Sequence, residues 1–263
     1  MNTFFHIGLA ALFAVCAPAP AAASQVAVPA ASAPSTDADA PDDDGPPALQ
    51  PFIATYDAWN QGKPAGTASM RLARLDGGRW QVDLDVTGNR GLARWIRLDI
   101  DQDTVFDVVD DRYRPLRQST RRKALFMGRE VEGVYDWDAG FAKWSGDIKQ
   151  TRREPVALQP GDMSGLLINL AIVRDAEPGR SLGYRFVDGG RVRDHRYSVA
   201  EVAEHVEVDG LSYRAMRVSR TNGGNDETIF WVARGVPTPI RILQRENGED
   251  AIDLRLVEYQ GVQ

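Results

Sequence analysis

Trp80-Gln81-Val82-Asp83-Leu84-Asp85-Val86 alternates apolar and polar residues without a break. Successive side chains of a β-strand point to opposite faces, so the stretch reads as a strand with one buried and one wet face. The same period recurs outward from it. Ile96, Leu98 and Ile100 alternate with Arg97 and Asp99. Phe230 and Val232, Ile240 and Ile242, and Ile252, Leu254 and Leu256 continue the pattern. One-sided burial is the mark of an antiparallel sheet. Between the runs lie Asp76-Gly77-Gly78, Asp138-Ala139-Gly140, Asp188-Gly189-Gly190, Asp209-Gly210, Asn222-Gly223-Gly224 and Asn247-Gly248. Glycine and asparagine accept the positive φ of tight hairpin turns, so the strands are predicted to form an antiparallel meander.

One segment departs from this period. After Pro160-Gly161-Asp162, the residues Met163, Leu166, Leu167, Leu170 and Val173 recur at helical spacing, and Pro178-Gly179 ends the run. Asp162 is a suitable N-cap, with Ser164 in the first turn, so residues 162–176 are predicted to be one amphipathic helix. Its apolar stripe must be buried, and the apolar face of the sheet is the available partner. The expected fold is therefore mainly β: a curved antiparallel meander, or half-barrel, with one amphipathic helix across the concave face. One helix need not fill such a face, and large aromatics on strands fill cores or line apolar cavities. Leu166, Leu167, Leu170, Trp80 and Trp231 are accordingly the candidate ligand-binding residues.

The N-terminus carries different information. Ile7 to Ala17 is an uncharged apolar run, and Ala21-Ala22-Ala23 supplies a small-residue cleavage pattern. The run is shorter than the about 20 apolar residues a bilayer span requires. Residues 1–23 are thus expected to be a cleavable signal peptide, although the first six residues hold no Lys or Arg. Residues 24–49 are rich in Ala, Pro, Asp and Ser without an aromatic, the composition of a disordered linker. The β-rich domain is expected over 50–260, in the periplasm. Lipid anchoring at Cys16 is not expected, because Val15 and Phe13 fit a lipobox poorly.

Composition and motif tests narrow the chemistry. The 263 residues carry a formal net charge of -6, which argues against nucleic acid as a partner. The single cysteine, Cys16, excludes an intrachain disulfide. Beyond the signal segment the histidines are His195 and His205, ten positions apart. In one regular strand they would stand about 33 Å apart, too far to share a metal. Asp99-Ile100-Asp101-Gln102-Asp103 lacks the glycine and glutamate of a calcium loop, with Thr104 and Asp110 in their places. No metal and no cofactor are expected.

Gly161-Asp162-Met163-Ser164-Gly165 sets its serine one position late for a nucleophile elbow. Asp83 and Asp85 share a strand face about 7 Å apart, a spacing compatible with glycosidase chemistry but ordinary on a wet sheet face. These acids and Ser164 are the only leads for a hydrolase, and no catalytic residue is assigned. Arg112 to Arg129 is locally basic; it reads as a solvated strand face, with contact to anionic headgroups or an acidic partner as the sharper alternative.

Several segments together carry a family resemblance: PFIATYDAWNQGKPAG from Pro51, RPLRQSTRR from Arg114 followed by GREVEGVYDWDAG, the GDMSGLLINLA helix, and TIFWVARGVPTPIRI from Thr228. In this order they resemble the bacterial envelope family known as domain of unknown function 3108, over nearly all of Pro51 to Tyr259. That family resembles the periplasmic lipoprotein carriers, which implies a half-barrel over an apolar cavity and suggests a hydrophobic ligand, without catalytic residues. The leading expectation is a non-enzymatic periplasmic protein that binds an apolar or amphipathic ligand. Its expected partners are a lipid or an envelope protein, with peripheral membrane contact. The alternative is a structural or interaction module of the envelope whose concave face is simply packed as core.

Overall fold

The structure is a computed structural model and describes residues 49–90, 99–124 and 127–262. The chain forms β1 (Phe52–Asn60), β2 (Lys63–Arg74), β3 (Trp80–Thr87), β4 (Asp99–Val109), β5 (Arg112–Ala124), β6 (Met127–Asp136), β7 (Phe141–Gly146), β8 (Val156–Ala157) and β9 (Asp162–Met163). Helix α1 (Gly165–Asp175) follows, then β10 (Ser181–Asp188), β11 (Arg191–Val199), β12 (Glu204–Val208), β13 (Leu211–Arg220), β14 (Glu227–Ala233), β15 (Arg241–Glu246) and β16 (Glu249–Gly261). The expected signal peptide, the linker up to residue 48, and Ile96 and Leu98 lie outside the described residues.

All sixteen strands join one sheet, in the order β8-β7-β6-β5-β4-β3-β2-β1-β16-β15-β14-β13-β11-β10-β9, with β12 paired to β13 off this path. The fold is mainly β, and among the described residues the curved sheet is not closed by a ladder, as expected of a half-barrel. Three features go beyond a simple meander, the first being that β11 pairs with β13 past β12. The first and last strands pair antiparallel, β1 with β16. Short β9 joins β10 in parallel, as Asp162 and Met163 pair with Arg185 and Phe186. Register shifts between Thr55 and Tyr56, Ala58 and Trp59, Val105 and Phe106, and Gln244 and Arg245 mark bulges. Each bulge bends its strand and increases local twist, which supplies the curvature.

Helix α1 packs against β3, β4, β5 and β10, so it lies over the concave face. Its N-cap is Ser164, whose Oγ accepts from Leu167 N at 3.4 Å. This corrects the expected helix start at Asp162. Asp162 is fully buried and pairs with Arg185 at 2.5 Å. A strand-to-strand ion pair has taken the carboxylate that a helix N-terminus would otherwise attract.

The principal core gathers Phe52, Tyr56, Met70, Leu72, Val82 and Phe106 of β1–β4 with Leu167, Ile168 and Ile172 of α1. Tyr56 is fully buried, and its hydroxyl bonds Thr238 Oγ1 at 2.5 Å and donates to the Pro239 carbonyl at 3.0 Å. A second cluster joins Tyr135, Ala142 and Trp144 to Val187. Strand β10 therefore presents Leu182 and Tyr184 to one cluster and Val187, on its other face, to the second. The β10–β11 turn sits against the segment before β8. A Cβ on Gly190, at φ +67, would stand 2.0 Å from the Arg152 carbonyl oxygen.

Candidate functional site

The register of β1 to β6 sets out the concave face in rows. One row runs Tyr56, Ala68, Val86, Ile100, Arg122, Arg129. The next runs Ala54, Met70, Leu84, Gln102, Thr120, Val131. A third runs Phe52, Leu72, Val82, Thr104, Gln118, Gly133. Each row starts apolar on β1 and turns polar at β4 or β5. The concave face is thus an apolar floor bordered by polar groups on its β4–β6 side.

In the third row those polar groups hold the curved sheet to itself. Thr104 Oγ1 and Ser164 Oγ are 2.9 Å apart, tying β4 to the start of α1. Gln118 Nε2 donates to Asp188 Oδ1 at the end of β10. The Tyr135 hydroxyl lies between two acceptors, Gln118 Oε1 and the Val187 carbonyl, the latter at 2.6 Å. Side chains of β5 and β6 thereby latch β10, where among the described residues no backbone ladder closes the barrel. Burial drives the Tyr135 phenol well above its ordinary value, so it stays a donor. Burial also raises the Asp188 carboxyl to about 6, against the opposing pull of the Gln118 bond, the Gly189 N–H and Arg122. Gly133 leaves room for Trp144, since a Cβ there would stand 2.5 Å from the indole nitrogen. Trp144 Nε1 is buried and has no hydrogen-bond partner among the described residues.

The residues expected to bind ligand divide between two places. Leu166, Leu167 and Leu170 are 6%, 0% and 4% exposed, within the packed core beneath α1. A side chain with no exposure borders no water-sized space, so Leu167 touches only packed atoms. Trp80 is half-buried at the edge of the same core, under the Arg74 guanidinium. Trp231 reaches the cluster from the face of β14 opposite Phe230, with Arg241 over its ring and its Nε1 donating to Glu204. The three leucines and Trp80 share the concave face; Trp231 does not.

In the second row, Gln102, Thr120 and Val131 are half-buried, as are Val86 and Arg122 in the first. This part-open side of the concave face was not singled out by the candidate residues.

The remaining candidates resolve plainly. His195 is on β11, stacked on Phe186 at 4.6 Å between centroids, whereas His205 is on β12, so they do not share a strand. Among the described residues no group of three or more His, Cys, Asp and Glu is placed to hold a metal ion. Ser164 bonds Thr104 and Leu167 N, neither of them a base. Asp83 and Asp85 face Asp103 and Asp101 directly across β3–β4, on the side away from Val82 and Leu84. Burial, then neighbouring aspartates, raises Asp85; burial, then Asp83, raises Asp103.

The basic stretch is only in part a solvated face. Arg114, Arg117 and Arg121 pair with Asp107, Glu132 and Glu130. Arg122 turns instead to the concave face, opposite Ile100 and Arg129. Gln118, Tyr135 and Asp188 were not singled out as site residues by the sequence reading, which took Asp188 only as part of a turn. One signal was available: Arg121 and Arg122 are adjacent on a strand and must point to opposite faces.

Fold and site together define a β half-barrel, plugged by one helix and latched across its opening by polar side chains. The chain belongs to the family described as protein of unknown function (DUF3108), whose model matches residues 52–255. No curated protein matches it in sequence. It is similar to the crystal structure of a β-barrel-like protein of the domain of unknown function DUF1849 from Brucella abortus. The identity is 9% and the TM-score 0.49, over 82% of this chain and 99% of that one. A DUF1089 family protein from Pseudomonas aeruginosa aligns at 13% identity and TM-score 0.36, over 69% of this chain and 90% of that one.

Proposed function

We propose that the protein is exported to the periplasm and binds an amphipathic ligand, a lipid or a lipoprotein segment, without catalysing a reaction. The ligand lies on the β3–β6 side of the concave face. The observation that carries this reading is the contrast in burial along that face. Residues beneath α1 are packed, while Val86, Gln102, Thr120, Arg122 and Val131 remain half-buried. Apolar and polar groups meet there, as an amphipathic ligand requires. Export is supported by the apolar run Ile7–Ala17 and the Ala21-Ala22-Ala23 pattern.

Native mass spectrometry and lipid extraction of the protein purified from periplasm test this reading. A co-purifying lipid, or saturable binding of a fluorescent fatty acid, is expected; the absence of both counts against it. The complete burial of Leu167 and Ile172 favours a second reading, an envelope interaction module whose concave face is core. Crosslinking in cells separates the two, because one dominant protein partner with no lipid supports the module.

A further inference from the structure

The arginines of β5 differ in how their charge is met. Arg114, Arg117 and Arg121 each have a carboxylate at 2.6 Å, 3.2 Å and 2.6 Å. Lys123 faces Asp101 at 3.8 Å. Arg122 and Arg129 make no ion pair among the described residues, although they stand directly opposite each other on β5 and β6. Like charges in that position destabilise a sheet. The pair is also on the concave side, where Arg122 is half-buried beside Ile100.

Arg122 continues a row that is apolar through Ala68, Val86 and Ile100. The row spans about 14 Å from Ala68 to Arg122, at about 4.8 Å per strand. Thr120, next on the same face of β5, adds a hydroxyl, and Gln102 opposite it adds an amide. Asp188 is close enough to Arg122 to be felt electrostatically, but it is bonded to Gln118. Burial and Arg129 both lower the Arg122 guanidinium from its ordinary value, and Asp188 offsets them only in part. Arg129 is exposed and Arg122 half-buried, so the two guanidiniums stand together at the rim of the apolar row with no carboxylate paired to either among the described residues.

We infer that Arg122 and Arg129 bind the anionic group of an amphipathic ligand, a carboxylate or a phosphate, while its hydrocarbon follows the apolar row toward Val86. The inference rests on the ligand-binding reading and names the chemistry of the ligand's head. Guanidinium is suited to either oxyanion, because its fork of N–H donors matches both in bidentate fashion. Thr120 and Gln102 supply neutral hydrogen bonds beside it.

The experiment uses the chain as purified from cells that make it, after removal of bound lipid. Four probes are titrated: dodecanoate, dodecyl phosphate, dodecanol and inorganic phosphate. Wild-type protein is expected to bind the two anionic amphiphiles about tenfold or more tightly than dodecanol. The double variant Arg122→Gln/Arg129→Gln should bind all three amphiphiles alike. Arg122→Lys/Arg129→Lys should keep the preference for anions in weakened form. Circular dichroism checks that the variants fold, and if they do not, the wild-type comparison decides alone.

Equal affinity of wild-type protein for dodecanol and dodecanoate overturns the anion site and leaves ligand binding standing. Arginine-dependent binding of inorganic phosphate with no amphiphile bound supports the arginine site, assigns it to free phosphate, and removes the apolar ligand. Failure of all four probes overturns both readings.

Discussion

Replacing Asp188 by Asn tests whether the latch carries a strained charge. A carboxyl raised from 3.8 to about 6 costs about 3 kcal/mol when ionised, at about 1.4 kcal/mol per pH unit. The side chain is half-buried, and solvent screening brings the working figure to about 2 kcal/mol. The sign follows from linkage. An acid whose folded pKa is raised binds its proton more tightly in the native state, so stability falls as pH rises from about 4 to about 6. The cost is present in full above pH 6 and is lost below the unfolded value near 3.8. Asparagine keeps the shape and the acceptor for Gln118 Nε2, yet cannot ionise. Urea unfolding of both proteins at pH 4, 5, 6 and 7 reads the difference, in which all shared groups cancel. The variant should gain on wild type by about 2 kcal/mol between pH 4 and pH 7. Parallel stability curves would refute a raised Asp188 carboxyl, and a variant equally weakened at every pH would show that only the hydrogen bond matters.

Three further outcomes follow from the packing. Leu167→Ala empties a position with no exposure and should lower stability by about 2–5 kcal/mol in chemical denaturation. Asp162→Ala strands the Arg185 guanidinium that pairs with a fully buried carboxylate; a loss of about 3–5 kcal/mol is expected, read as a drop in Tm. Gly190→Ala sets a methyl 2.0 Å from the Arg152 carbonyl at φ +67; it should destabilise by more than about 1 kcal/mol and raise amide exchange across the β10–β11 turn.

The alternation in Trp80–Val86 and the spacing of Leu166, Leu167 and Leu170 made strand and helix readable, because both follow from local periodicity. The start of the helix was not readable in the same way. Asp162 and Ser164 are both good caps, and only the Arg185 partner, 23 positions away, decides between them. The latch was hidden for a related reason. Gln118 and Tyr135 lie on the paired strands β5 and β6, but Asp188 is 70 positions beyond Gln118, and their meeting depends on how far the bulged sheet curls. Asp188-Gly189-Gly190 was legible only as a turn. Arg122 was masked by its neighbours: a run of basic residues looks like one wet face until strand geometry sends alternate members inward. The second hydrophobic cluster, where Val187 meets Trp144, likewise comes from the sheet meeting itself.

The proposed function places a ligand against β3–β6 while α1 covers a packed core. Amide hydrogen exchange with and without dodecanoate tests that placement directly. Protection should rise in β3 to β6 around Val86, Gln102, Thr120 and Val131, and remain unchanged in α1. Protection that instead rises at Leu166–Leu170, with β3 to β6 unaffected, contradicts it and returns the ligand to the space beneath the helix.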